Sequence, residues 1–157
     1  MDHITIFKLY GHHGPKQYDI IKKELDSINI NINNIENVKI VPYIYNMEEV
    51  MRVSDIIISR SGAMTITEIA KLGKPAIFVP FPFATENHQE YNAKVLENVG
   101  AAKIILDKDL NWNVLYKTLN NMLKNKDDLL KMGQNAKNIS VENVEDRIYE
   151  EIKKLLK

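Results

Sequence analysis

Short, mostly apolar runs alternate along this chain with stretches whose apolar positions recur every three to four residues. Runs of the first kind at residues 4–10, 38–41, 56–59, 76–79 and 102–106 each predict a β-strand. The helical period predicts helices over 16–27, 47–53 and 63–72, from Asn87 to about residue 98, and over 112–124, 127–138 and 141–156. Turn residues support these boundaries. Gly11 and Gly14-Pro15 end the first strand, Pro42 the second and Pro80-Phe81-Pro82 the fourth, while Gly73 with Pro75 closes the helix over 63–72. Asn87 followed three residues later by Glu90 predicts a capping box, and Gly133 predicts a weak point in its helix. Residues 28–37 read as a loop, because their Ile/Asn alternation only imitates a strand.

Strands that alternate with helices, most of them continuously apolar, predict an α/β fold, a parallel sheet covered by helices on both sides. Ligands in such sheets bind outside the carboxyl ends of the strands. The segments 59–63 and 80–88 both leave carboxyl ends, so both are expected to line one crevice.

Composition narrows the chemistry. The 157 residues suit one domain, expected to run over residues 1–157. Lys+Arg and Asp+Glu both number 21, so no charge excess points to nucleic acid. The absence of cysteine removes disulfides and thiolate chemistry. No apolar run approaches the roughly 18 residues of a membrane span, and a cytoplasmic protein is expected, with contact at the inner face of the membrane left open. His12-His13 beside Gly14 lacks any accompanying carboxylate motif, so no metal is expected. Ser61, His88 and Asp55 lack a G-x-S-x-G elbow, and no G-x-G-x-x-G or Walker sequence is present, so neither a hydrolase triad nor NAD or ATP is expected. No cofactor and no catalytic residue is assigned.

Two stretches hold candidate chemistry. In "SRSGAMTITEIAKLGKP", residues 59–75, a helix opens on Gly62 and Ala63, whose small side chains leave room for an anion at the amides of Ala63, Met64 and Thr65. Glu68 follows about one turn deeper on the side of Met64 and Thr65, where a carboxylate suits the vicinal hydroxyls of a ribose. Diphosphate at the tip and ribose beside it describe a nucleoside diphosphate. The same residues also suit an ordinary helix start with Glu68 in solvent. In "VPFPFATENHQEYNAK", residues 79–94, the neutral groups of Thr85, Asn87, His88 and Gln89 suit the hydroxyls of a sugar, or simply an exposed first turn.

Residues 54–105, with the combination R-S-G-A-x-T-x-x-E, G-x-P, P-F-P, H-Q-x-x-N-A and G-A-A, resemble the donor-binding half of the MurG-type family 28 glycosyltransferases. The segment "VPYIYNMEEVM", residues 41–51, and the tail to Lys157 fit the same resemblance, which covers three-quarters of the chain or more. It implies a Rossmann-like C-terminal half of a two-domain (GT-B) enzyme. Such enzymes transfer N-acetylglucosamine from UDP-N-acetylglucosamine to lipid-linked muramoyl-pentapeptide in peptidoglycan synthesis, with no metal for the donor. It further implies that backbone groups of Ile44 meet the uracil and that Ala63, Met64 and Thr65 hold the diphosphate side. Glu68 would take the ribose, His88 and Gln89 the N-acetylglucosamine, and Arg60 and Ser61 would shape the turn. The sequence departs from the family pattern at its start. The Gly-Gly-Ser-x-Gly-Ala loop is not found, and Gly11-His12-His13-Gly14 resembles a later H-x-x-G-K loop with Pro15 in place of lysine. Expectations follow: a donor half lacking its first strand–helix unit, without the acceptor half and inactive alone, and a homodimer through an exposed sheet edge. A stand-alone sugar-nucleotide-binding subunit working with a membrane-associated partner is the alternative.

Overall fold

The computed structural model describes residues 9–12, 15–31, 37–141 and 143–155. Residues 4–8 of the first expected strand, His13 and Gly14 of the loop after it, residues 32–36 and Leu156 lie outside this set. The chain divides into two compact units, Met1–Met47 and Glu48–Lys157.

In the first unit, β1 (Leu9–His12) and β2 (Val38–Val41) pair in parallel, with Leu9 opposite Val38 and His12 opposite Val41. A parallel pair needs a crossover, and α1 (Pro15–Ser27) supplies it. Proline suits its first position, where the missing N–H has no helical partner and the ring presets φ.

The second unit begins with α2 (Met47–Val53), whose first residue is the last of the unit before it. A parallel sheet follows in the order β3 (Ile57–Ser59), β4 (Ala76–Phe78), β5 (Ala102–Ile104). The crossovers are α3 (Ala63–Leu72) and α4 (His88–Asn98). Ala76, Ile77 and Phe78 of β4 are all fully buried. Successive strand side chains point to opposite faces, so this central strand is covered on both, as its continuous apolar run predicts. On one face Ile77 joins Ile105 and Met122, packed by Leu115, Leu119, Leu129 and Met132. Those residues come from α5 (Trp112–Lys124), α6 (Lys126–Asn138) and the end of β5. Asn111 caps α5 by accepting from the Val114 N–H, and Asn125 both ends α5 and caps α6, which therefore starts one residue before its expected place. The last helix, α7 (Val144–Leu155), starts three residues later than expected, after Asn143 in the left-handed region at φ 55°.

Two expectations are corrected. Gly133 is no weak point: a Cβ there would stand 2.5 Å from the Gly73 carbonyl oxygen, so the absence of a side chain lets α6 meet the end of α3. Gly73 itself closes α3 at φ 63°, and the next residue, Lys74, donates its Nζ to the carbonyls of Arg52 and Ser54 at the end of α2. Asn87 does not form a capping box. Its backbone is left-handed (φ 55°), which turns the side chain away from the first-turn amides; Nδ2 instead donates to Glu90 at 2.8 Å.

Candidate functional site

Because the three strands of the second unit are parallel, Ser59, Phe78 and Ile104 finish together at the carboxyl end of the sheet. The turn into α3, the loop 79–87 and the turn after β5 all leave from that end.

The first of these turns is open. Gly62 is the N-cap of α3 at φ −63° and ψ 150°, and no side chain caps the helix. Only the Ile66 N–H bonds back to the Gly62 carbonyl, as a regular helix requires. The amides of Ala63, Met64 and Thr65 thus present the positive end of the helix without a side-chain acceptor. Glycine at 62 is not a backbone necessity, since any residue adopts this φ. A Cβ there would meet nothing closer than the Thr65 hydroxyl at 4.0 Å, so the glycine leaves open room beside the exposed amides. Met64 is exposed, Thr65 half-buried, and Thr67 turns its hydroxyl back to the Ala63 carbonyl at 2.9 Å. Glu68 is exposed and forms no hydrogen bond or ion pair among the described residues. The structure brings Ala63, Met64, Thr65 and Glu68 together in the first turns of one helix.

The second loop is fastened to this turn by polar bonds. Ser61, fully buried, donates its hydroxyl to the Gln89 carbonyl at 2.7 Å, and Asn92 donates to the Ser61 carbonyl at 3.1 Å. Gln89 accepts the Phe81 N–H on Oε1 at 3.0 Å, which leaves its amide hydrogens to other acceptors. His88 is exposed with Nδ1 at 2.7 Å from the Thr85 carbonyl. A carbonyl only accepts, so Nδ1 carries the proton, and Nε2 of the neutral ring is an acceptor. Glu86 and Asn87 both take positive φ just before α4, an uncommon backbone for non-glycine residues. The hydrogen bond from Asn87, then the pairing with Lys94, hold the Glu90 carboxyl below the ordinary carboxylate range; Glu90 in turn raises Lys94.

Arg60 joins three segments. Its Nη1 donates to the Val79 and Pro80 carbonyls, both at 3.1 Å, and pairs with Asp107 at 2.5 Å; its guanidinium stands 5.7 Å from the centre of the Phe81 ring.

Residues 4–148 match the sequence model of the glycosyltransferase family 28 C-terminal domain. The chain belongs to this family. It is 40% identical over 144 residues to the UDP-N-acetylglucosamine--N-acetylmuramyl-(pentapeptide) pyrophosphoryl-undecaprenol N-acetylglucosamine transferase of Acetivibrio thermocellus, covering 92% of this chain and 38% of that protein. A Thermoanaerobacter enzyme of the same name is 43% identical over 142 residues, again with 38% of its length covered. Among solved structures, Acinetobacter baumannii MurG superposes with a TM-score of 0.78 at 30% identity, over 94% of this chain and 43% of that one. The glycosyltransferase VinC, crystallised with dTDP, superposes at 0.63 with 15% identity over 87% of this chain and 38% of that one, a likeness of fold alone. The chain thus spans about 38% of the length of the curated relatives it matches.

In this family 28 domain, Arg60 bonds to the Val79 and Pro80 carbonyls and Ser61 to the Gln89 carbonyl. Ile44 lies half-buried in the first unit, three residues after β2. Asp107 and Asn92 join the site only through the fold. Asp107 lies 47 positions from Arg60 and Asn92 31 from Ser61, and no short-range pattern announces either pairing. Among the described residues no group of His, Asp and Glu gathers that could hold a metal, and no helix is long and apolar enough to cross a membrane.

Proposed function

We propose that this domain, extending over residues 1–157, binds UDP-N-acetylglucosamine as the donor half of a MurG-type transferase. The open start of α3 carries the reading: uncapped amides, a glycine the backbone does not need, and, one turn deeper, a carboxylate with no partner among the described residues. The amides of Ala63, Met64 and Thr65 take the diphosphate, with the Thr65 hydroxyl as a further donor. Glu68 accepts from the ribose hydroxyls. His88 offers an acceptor and Gln89 a donor to the sugar, and the Ile44 backbone serves the uracil.

In the mechanism, this domain's residues bind and orient. The positive end of α3 also favours charge that grows on the diphosphate as it departs. N-acetylglucosamine passes to a lipid-linked muramoyl-pentapeptide held by an acceptor half, at the cytoplasmic face of the membrane where such an acceptor lies. A second copy of this chain pairs at the sheet edge.

A calorimetric titration with UDP and with UDP-N-acetylglucosamine tests the reading. Both should bind, the sugar nucleotide more tightly, while labelled N-acetylglucosamine should not reach a lipid-linked acceptor through this chain alone, since positioned acceptor contacts belong to the other half. Failure to bind UDP overturns the donor assignment, and turnover by this chain alone overturns the division of labour.

A further inference from the structure

We propose that Asp107 is a positioning residue for the sugar end of the site, acting through Arg60 on the loop that leads to His88 and Gln89. The proposal rests on the donor reading above and adds a residue and a specificity role to it.

The loop 79–87 leaves β4 over the Arg60 side chain. Its first two carbonyls, those of Val79 and Pro80, accept from Arg60 Nη1, and the Phe81 ring lies beside the guanidinium. The following N–H, that of Phe81, is held by Gln89. Arg60 therefore sets the height at which the loop departs, and Gln89, itself assigned to the sugar, fastens the same stretch from the other end.

Arg60 needs an anchor to do this. Two neutral carbonyls leave a flexible arginine free to exchange them for water, and both are on the segment to be positioned. Asp107 lies on a different segment, in a 3-10 turn (Asp107–Asp109) after β5, and its carboxylate takes the same Nη1 at 2.5 Å. That turn is tied to the sheet: the Ile105 N–H bonds to the Phe78 carbonyl at 2.9 Å, continuing the β4–β5 ladder. The chain of bonds thus runs from the sheet through Asp107 and Arg60 into the loop. A planar guanidinium suits the task because it can meet acceptors in its plane while its face lies along an aromatic ring.

The nucleotide end is held separately. Ser61 is fixed by Asn92 and by the Gln89 carbonyl, neither of which involves Asp107. Loss of Asp107 should therefore disturb the sugar's partners and leave the α3 amides and Glu68 in place. The pair is half exposed, so the effect is modest and sensitive to salt.

The experiment is a pair of titrations, with UDP and with UDP-N-acetylglucosamine, on the parent chain and on Asp107→Ala, Asp107→Asn and Asp107→Glu. The readout is the ratio of the UDP to the UDP-N-acetylglucosamine dissociation constant. Asp107→Ala and Asp107→Asn should lower this ratio by about 2–5-fold with the UDP constant unchanged, and Asp107→Glu should recover part of it. Raising salt from about 0.1 M to about 1 M should lower the ratio for the parent and not for Asp107→Asn. An unchanged ratio, or a loss shared equally by UDP, overturns the proposal while the donor reading stands. A parent chain that binds neither nucleotide overturns both.

Discussion

Among the described residues Glu68 stands in solvent without a partner, while the exposed Glu48 and the half-buried Glu90 each hold a basic side chain on their own helix. A carboxylate left free one turn from uncapped amides is available to ribose hydroxyls. Glu68→Ala should weaken UDP and UDP-N-acetylglucosamine alike, by about 1.5–3 kcal/mol for hydrogen bonds to a charged group. Glu68→Gln should lose less, and both should melt like the parent; parent-like UDP binding by Glu68→Ala would return the residue to the surface. Gly62 gives a complementary test. A methyl there enters open space, so Gly62→Ala should shift stability by less than about 1 kcal/mol at this N-cap, yet it narrows the approach to the amides and should weaken both nucleotides. Thermal melts and titrations on the same sample separate the two effects. Glu90 has a different role. Its carboxyl is held below its ordinary range by Asn87 and then Lys94, so its contribution to folding is full above the unfolded-state value and is lost as pH falls through the lower folded one. The Asn87 side-chain amide signal should shift in that acid window in an NMR titration and stay still in Glu90→Gln.

At the scale of elements, the meeting of α3 and α6 decides more than either helix's propensity. Alanine replacing an exposed helical glycine usually adds about 1 kcal/mol of stability. At Gly133 the sign reverses, because the added Cβ would press within 2.5 Å of the Gly73 backbone oxygen. Forced overpacking of this kind costs about 1–3 kcal/mol. Gly133→Ala should lower the urea midpoint accordingly with an unchanged slope. A parent-like or higher midpoint would mean that α6 can move away from α3 freely. Gly73 leaves no such choice, since its φ of 63° already excludes most side chains.

At the scale of the whole molecule, the edges of the three-stranded sheet differ. β5 carries the exposed Lys103, a charge of the kind that discourages pairing between chains. β3 has one ladder partner among the described residues and presents Ile58 at 39% exposure without a charge. Association of two copies is expected there. Light scattering at high protein concentration should give a dimer mass, and Ile58→Lys should reduce it to the monomer; a monomeric parent would remove the dimer from the reading.

The strands and helices were legible in the sequence because each is set by local signals. Mostly apolar runs marked β2 to β5, the 3.6-residue period marked the helices, and 112–124 came out at its expected bounds. The opening at Gly62 and the free Glu68 were legible for the same reason, since a helix start and its first turns are a matter of neighbours in the chain. Tertiary structure decided the rest. It turned Asn87 away from its helix and made Gly133 a point of close approach. It gave Arg60 its anchor in Asp107, 47 residues away. Each of these depends on a partner brought near only when β3, β4 and β5 line up in parallel. Spacing along a chain carries no information about a distance that the sheet itself creates.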